Sequence, residues 1–283
     1  MNILLTGSSG YLGKNLTKYL AKKNKVFTFD RKSQKFSLEN VKSYLYPKTI
    51  NGYVKFLKKN NIKVIIHNAG YFIKNHKIND IDKLIEVDIK LSLYIFESAK
   101  ISGIKSIISF GSYWQYYSNK NIFKPANLYA CTKQSIHTIA EHYLNNHDIS
   151  HLQLLIHDTY GANDKRNKII NKLFKLSKNQ KFIINNPDAE IYPLHVEDVC
   201  DAIEFSIKFL ARNKKPFNKQ YSLRSNNPIK ILKLITIISK IRQISFENIE
   251  FKKNYNKIIN SKMKRLPYWK PKINLKKGLD NLK

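Results

Sequence analysis

At 283 residues and 42% hydrophobic composition, the chain can bury a full core, as one large α/β domain or as a domain with a smaller lobe. No apolar run approaches the roughly 18–20 residues that cross a bilayer, no signal peptide is expected ahead of a strand starting at Asn2, and Cys131 and Cys200 are too few for a disulfide framework or a Cys-x-x-Cys metal site. The net charge of +31 admits nucleic acid as a partner, but 45 Lys against 6 Arg, alongside 38 Ile and 31 Asn, is the bias of AT-rich coding. The lysines are spread from Lys14 to Lys283, so the charge reads as a solvated surface that steers anionic substrates. A cytoplasmic protein is expected, with no metal, nucleic-acid or membrane partner.

In chain order, Asn2–Thr6 predicts a strand, and residues 11–22 a helix with Leu12, Leu16, Tyr19 and Leu20 on one side. Strands are predicted at 26–29 and 64–67. A long helix over 81–101 repeats Leu84, Ile85, Ile89, Leu93 and Phe96 at helical spacing. A strand at 106–110, a helix at 128–145 and a strand at 151–156 follow. Strands alternating with helices imply a parallel sheet covered on both faces, with ligands bound beyond the carboxyl ends of its strands. After Gly161 the order is less regular: helices over 168–177 and 229–241, short strands at 181–184 and 220–223, and a helix over 196–211. The predicted fold class is therefore α/β: a Rossmann-type doubly wound parallel sheet with a smaller interleaved C-terminal α/β substrate lobe. Residues 1–161 form the dinucleotide-binding domain, with 191–212 returning to it; 162–190 and 213–283 form the lobe.

The chemistry concentrates at three places. Gly7-x-x-Gly10-x-x-Gly13 follows the first strand and opens a helix. Glycines there allow a tight turn, let backbone approach a pyrophosphate, and present free N–H groups at the helix start. Asp30 ends the second strand, where a carboxylate binds ribose hydroxyls, whereas Arg31 and Lys32 offer cations for a 2′-phosphate; NAD(H) and NADP(H) both remain open. Tyr129 and Lys133, one helical turn apart, place a phenol beside an ammonium, and the cation is expected to lower the phenol's pKa. Arg166, near Lys165 and Lys168 just past Gly161, is a fork suited to a diphosphate, with Arg224 a second candidate. Cys131 reads as a small buried hydrophobe, and His195 as a structural histidine at a helix start.

These motifs resemble, nearly end to end, the extended short-chain dehydrogenase/reductases of the NAD-dependent epimerase/dehydratase family. Ser106-Ile-Ile-Ser-Phe-Gly-Ser112 resembles the family strand that ends in the catalytic serine, Tyr129 and Lys133 its catalytic pair, Leu194-His-Val-Glu-Asp198 a late helix start, and Pro267-Tyr-Trp-Lys-Pro271 its closing segment. The resemblance implies that Ser112 hydrogen-bonds the substrate oxygen, Tyr129 exchanges a proton and Lys133 holds the nicotinamide ribose. It implies cofactor contacts from Gly7, Ser9, Gly10, Tyr11, Leu12, Gly13, Asp30, Arg31, Asn68, Ala69, Gly70, Tyr129 and Lys133. Substrate contacts are expected from Tyr113, Trp114, Asp158, Arg166, Lys168 and Arg224. A narrower likeness, carried by residues 112–117, 127–134 and 158–166, is to the CDP-abequose synthase group of nucleotide-sugar 4-ketoreductases. Asp158 stands where many epimerases of the family carry Asn, and Ala162 where Pro is usual.

Sugar-nucleotide 4,6-dehydratases of this family need a carboxylate pair directly after the catalytic Ser/Thr; Tyr113 and Trp114 stand there instead. The expected activity is therefore NAD(P)H-dependent reduction of the 4-keto group of a nucleotide-diphosphate-linked 6-deoxy sugar, whose product would enter surface-polysaccharide assembly. The alternatives are a 4-epimerase with tightly bound NAD and, from another class, a non-catalytic RNA-binding relative. The resemblance also implies a homodimer that pairs the 81–101 and 128–145 helices.

Overall fold

The computed structural model describes residues 1–32, 34–117, 122–177, 180–244, 249–252 and 263–282. Its centre is a seven-stranded, all-parallel sheet of β1 (Asn2–Thr6), β2 (Lys25–Asp30), β3 (Val41–Leu45), β4 (Val64–His67), β5 (Ser106–Ser112), β6 (Ser150–Ile156) and β11 (Asn218–Leu223). Their spatial order is β11-β6-β5-β4-β1-β2-β3, so the winding reverses between β1 and β4. At such a switch point the two halves of the sheet diverge and leave a crevice above the strand ends. The inner strands are apolar on both faces because helices cover both. Along β1, Ile3 and Leu5 join the core under α1 (Tyr11–Leu20) and α7 (Val196–Arg212). Leu4 points the other way, toward α2 (Ile50–Lys59), α4 (Leu91–Ser102) and α5 (Leu128–His147).

Neither β3 nor α2 is legible as an element in the sequence. β3 is the sheet edge, with no fully buried residue, and α2 buries only Tyr53 and Leu57. The long helix differs from expectation in a more instructive way. It starts as α3 (Ile81–Leu84), passes through a π-helical turn over Ile85–Lys90 and continues as α4. Its inward stripe runs through Leu84, Asp88, Ser92, Ile95 and Ala99, while Ile85 and Leu93 are 47% and 42% exposed. Of the expected repeat, Leu84 and Phe96 face inward while Ile85 and Leu93 do not, because part of the inward side carries polar groups that serve other buried groups. Ser92 Oγ bonds His67 Nε2 at 3.0 Å, and Asp88 faces Lys133.

The second lobe has its own core of Ile170, Leu173, Ile184, Ile229, Leu234, Ile238 and Leu279. It is built from α6 (Ile169–Lys175), α8 (Ile231–Arg242), α9 (Leu275–Asp280) and two short pairings, β8 (Phe182–Asn185) with β13 (Ile249–Lys252) and β9 (Glu190–Ile191) with β12 (Ile229–Lys230). β7 (Thr159–Tyr160) pairs in parallel with β10 (Leu194–His195) beside the main sheet. One expected boundary is corrected: β11 lies within 213–283, yet it pairs with β6 in the main sheet, since the chain crosses back after α7 and fills the open edge. Residues 178–179, 245–248, 253–262 and 283 of the expected lobe lie outside the described residues. His195 caps α7 through Nδ1, which accepts from Glu197 N at 3.4 Å. Asp198, one turn on, pins the closing segment by accepting from Lys272 N and Ile273 N at 2.8 and 3.1 Å. Cys131 is half-buried on the outer side of α5, not enclosed as expected.

The imidazoles of His67, His151 and His157 are enclosed: His67 between Thr6 and Ser92, His151 between Ser109 and Asn218, and His157 against Tyr113. Burial holds each imidazole neutral, with a folded pKa of about 3, against roughly 6.5 in an unfolded chain. A base whose pKa is depressed by folding stabilises fully above the unfolded value, and that stability fades as pH falls toward the folded value. Each imidazole then contributes a slope of up to about 1.4 kcal/mol per pH unit. Urea midpoints should therefore fall steeply between about pH 6.5 and about pH 4; a flat midpoint across that window would contradict the placement of these rings.

Candidate active site

A cleft of about 840 Å³ opens above the carboxyl ends of the strands. At one end is the glycine turn. Gly7 has φ +71°, and a Cβ there would lie 2.8 Å from Ala69 Cα. A Cβ on Gly13 would lie 2.1 Å from Gly7 O, so this glycine lets α1 pack onto the turn from behind. Gly10 differs: a Cβ there meets nothing nearer than Gly7 O at 3.7 Å. It is the N-cap of α1 with no side-chain cap, so the first N–H groups of that helix remain free for an anion. Asn68 Nδ2 holds Gly7 O at 2.9 Å, and Asp30 accepts from Ser9 N at 2.9 Å and from Ser8 Oγ. All the expected cofactor positions except Gly13 line this cleft. The open space at Gly10, the uncapped helix start and the carboxylate at the end of β2 together fit a dinucleotide.

At the other end, Ser112 finishes β5, with Oγ accepting from Trp114 N at 3.2 Å. Tyr129 and Lys133 stand on the first two turns of α5, which Asn127 starts by accepting from Ala130 N at 3.0 Å. The Lys133 ammonium, almost wholly enclosed, donates to Ala69 O at 3.1 Å and pairs with Asp88 Oδ1 at 2.9 Å. Asp88 Oδ2 accepts from Thr132 Oγ1 at 2.8 Å. Lys133 Nζ lies 5.9 Å from the centroid of the Tyr129 ring.

The expected acidification of Tyr129 is corrected by this arrangement. Burial raises the phenol pKa well above its ordinary value, the Asp88 carboxylate adds to the rise, and only Arg166 opposes it. The lysine's charge is matched by Asp88, so the phenol stays firmly protonated. Tyr129 is thus held as a phenol with its proton in place.

The expected substrate residues divide. Tyr113 stacks on His157 with centroids 4.6 Å apart, and Trp114 faces Phe72 at 5.6 Å; Phe72 also meets Tyr129 edge-on at 5.3 Å. Lys168 Nζ sits over the Phe72 ring at 4.7 Å, within the cleft lining. Arg166 lines the cleft too, but its fork is engaged within the protein. Nε and Nη2 donate to Asp164 at 2.8 Å each, Nη2 donates to Thr159 Oγ1 at 2.8 Å, and the guanidinium stacks on Tyr11 at 4.4 Å. Asp158 is not part of the lining, although its chain neighbours His157 and Thr159 are; burial raises its carboxyl, with Lys168 and Arg166 acting the other way. Arg224 is outside the lining, stacked on Tyr192 at 4.3 Å, with a buried Nε that has no hydrogen-bond partner among the described residues. Its charge lowers the pKa of Arg265, second to burial, and Arg265 Nη1 donates to Asn226 Oδ1 at 3.0 Å.

Sequence reasoning missed Asp88, Phe72 and Arg265. Asp88 had a signal, an acid four residues after Leu84 on a helix stripe; Phe72 and Arg265 had none. Among the described residues, no group of three His, Cys, Asp or Glu could hold a metal, and no helix is long and apolar enough to cross a membrane.

The sequence profile of the NAD dependent epimerase/dehydratase family matches residues 3–220. A CDP-abequose synthase of Yersinia pseudotuberculosis is 23% identical over 245 residues, covering 86% of this chain and 85% of its own. Among solved structures, the UDP-N-acetylglucosamine 4-epimerase of Methanobrevibacter ruminantium M1, in complex with UDP-N-acetylmuramic acid, superposes with a TM-score of 0.82 at 18% identity, covering 99% of this chain and 96% of its own. The UDP-glucose 4-epimerase of Thermus thermophilus, in complex with NAD, gives 0.79 at 13% identity, covering 99% and 97%. At these identities the structural likeness establishes a shared fold.

The two glycines separate binding from folding. Gly10→Ala should leave the thermal midpoint unchanged and weaken NADH binding, read by its fluorescence, at least about tenfold, since the new methyl enters open cleft space. Gly13→Ala should destabilise by about 1–3 kcal/mol, as its methyl overlaps backbone. Equal binding by wild type and Gly10→Ala would place the dinucleotide elsewhere.

Proposed function

Because the chain belongs to the NAD-dependent epimerase/dehydratase family, we propose that it reduces the 4-keto group of a nucleotide-diphosphate-linked 6-deoxy sugar with NADH or NADPH. The carrying observation is Tyr129, a half-buried phenol with a raised pKa that lines the same cleft as Ser112, with Tyr113 and Trp114 where a dehydratase needs carboxylates. The reduced dinucleotide, when bound, supplies the hydride. Gly7, Gly10 and the start of α1 would hold its pyrophosphate, and Asp30 its adenosine ribose; that carboxylate supports NAD(H), whereas Arg31 offers the cation that NADP(H) needs. Lys133, fixed by Asp88 and Ala69 O, would hold the nicotinamide ribose.

As C4 becomes an alkoxide, Tyr129 gives its proton to that oxygen and the Ser112 hydroxyl donates a hydrogen bond to it. Arg224 and Arg265, two guanidiniums without a carboxylate partner among the described residues, support diphosphate binding near Tyr192 and His157. Arg166, committed to Asp164, supports the lining of the cleft more than the diphosphate, and its charge acts against the raised pKa of Tyr129. The exposed Ile85, Leu93 and Ile101 on the long helix support a homodimer through that helix.

The 4-epimerases among the structural relatives favour one competing reading, in which NAD is regenerated within each cycle. Net consumption of reduced cofactor separates the two. With a panel of nucleotide-linked 4-keto sugars, absorbance of the reduced cofactor should fall one-for-one with product. Tyr129→Phe should lower that rate by about 10² to 10⁴ while binding NADH normally. Unchanged turnover in this variant would remove Tyr129 from the chemistry.

A further inference from the structure

We infer that four glutamines, Gln115, Gln134, Gln153 and Gln220, are positioning residues that hold Ser112 and Lys133 in one frame. The roles of those two groups rest on the reading proposed above. The four amides come from four separate elements: the turn after β5, helix α5, strand β6 and strand β11. Gln115 Nε2 donates to Gln134 Oε1 at 2.7 Å and to Gln153 Oε1 at 3.3 Å. Gln220 Nε2 donates to the same two oxygens at 2.9 and 2.6 Å. Two donors thus face two shared acceptors, and the ring closes on itself.

Three bonds leave the ring. Gln115 Oε1 accepts from Ser112 N at 2.8 Å, Gln153 Nε2 donates to Lys133 O at 3.0 Å, and Gln220 Oε1 accepts from the Tyr116 hydroxyl. The first two end on the backbone of the two residues whose side chains meet the reacting centre, although β5 and α5 carry them on different layers. Gln115 and Gln153 are fully enclosed. Buried amides are costly unless every group is paired, and leucines could fill such a space without that demand. What directional bonds add is a fixed offset between strand end and helix, which apolar packing leaves free to slide. Gly111 supports the same conclusion: a Cβ there would lie 2.4 Å from Gln115 Oε1 and 3.1 Å from Gln153 Cδ, so a side chain just before Ser112 would break the ring.

The test uses Gln153→Leu and, at the corner farthest from the chemistry, Gln220→Leu, each in the full chain. Both should bind NADH as wild type does and keep KM within about twofold, while kcat falls by about 10-fold to 100-fold. The deuterium isotope effect on kcat, with cofactor deuterated at the transferred position, should rise as hydride transfer becomes the slow step. The Ser112 amide should exchange with solvent faster while the rest of β5 stays protected. A merely structural role would reduce the amount of active enzyme and leave the isotope effect alone. If Gln153→Leu does not fold, Gln220→Leu carries the test. A folded Gln220→Leu protein with wild-type kcat, isotope effect and Ser112 exchange would overturn the inference. If wild type reduced no keto sugar, the functional reading would fall, and the Ser112 exchange comparison would still decide the role of the ring.

Discussion

The buried ion pair between Asp88 and Lys133 is the constraint on which the site depends. Both groups are nearly inaccessible to water, at 0% and 4% exposure, and lie 2.9 Å apart. Charges in such a place persist only when each is matched, and removing one partner typically costs about 3–5 kcal/mol. The pair ties the π-helical turn before α4 to the second turn of α5, and the Ala69 carbonyl ties both to the loop after β4. The walls of the cleft are thereby joined at the base of the cofactor groove. Gly70 fits this closeness, since a Cβ there would lie 2.4 Å from Lys133 Nζ.

Burial sets the character of the nearby Tyr129 phenol, and the Asp88 carboxylate of the pair adds to it. A lone lysine would favour phenolate; a lysine already matched by a carboxylate does not, and burial then keeps Tyr129 protonated. An acid held in that state suits a reaction that ends with a proton on a new alkoxide. Ser112 stands at the strand end in the same cleft, and no carboxylate occupies the two positions that follow. The aromatic side chains Phe72, Tyr113 and Trp114 line the cleft, with Lys168 held over two of their rings.

What was legible in the sequence follows from how local its cause is. The glycine turn, Tyr129 and Lys133 could be placed because each hangs from the end of a buried strand or the start of a helix, and such elements announce themselves by pattern, whereas Ser112 was placed by the resemblance of residues 106–112 to the family's strand. The edge strand β3 and the helix α2 bury too little to do so. Asp88 was obscured because the inward side of its helix is partly polar, so the apolar repeat joined the inward Leu84 and Phe96 to the outward Ile85 and Leu93. The partners of Arg166 and Arg224 were invisible for another reason. Asp164 lies two residues from Arg166, yet only the turn geometry after β7 aims them at one another, and Tyr192 meets Arg224 through a chain reversal. The error in the sign of the Tyr129 shift has the same origin, since it comes from tertiary burial of the phenol, with Asp88, 41 positions upstream, adding to it.

The most direct measurement follows the hydride itself. Reduced cofactor carrying deuterium at its transferable position would be incubated with a nucleotide-linked 4-keto-6-deoxy sugar, and the product sugar analysed by NMR. The account predicts one deuterium at C4 for each cofactor oxidised, in a single configuration. Product without deuterium at C4, or interconversion of sugar epimers with no cofactor consumed, would contradict it.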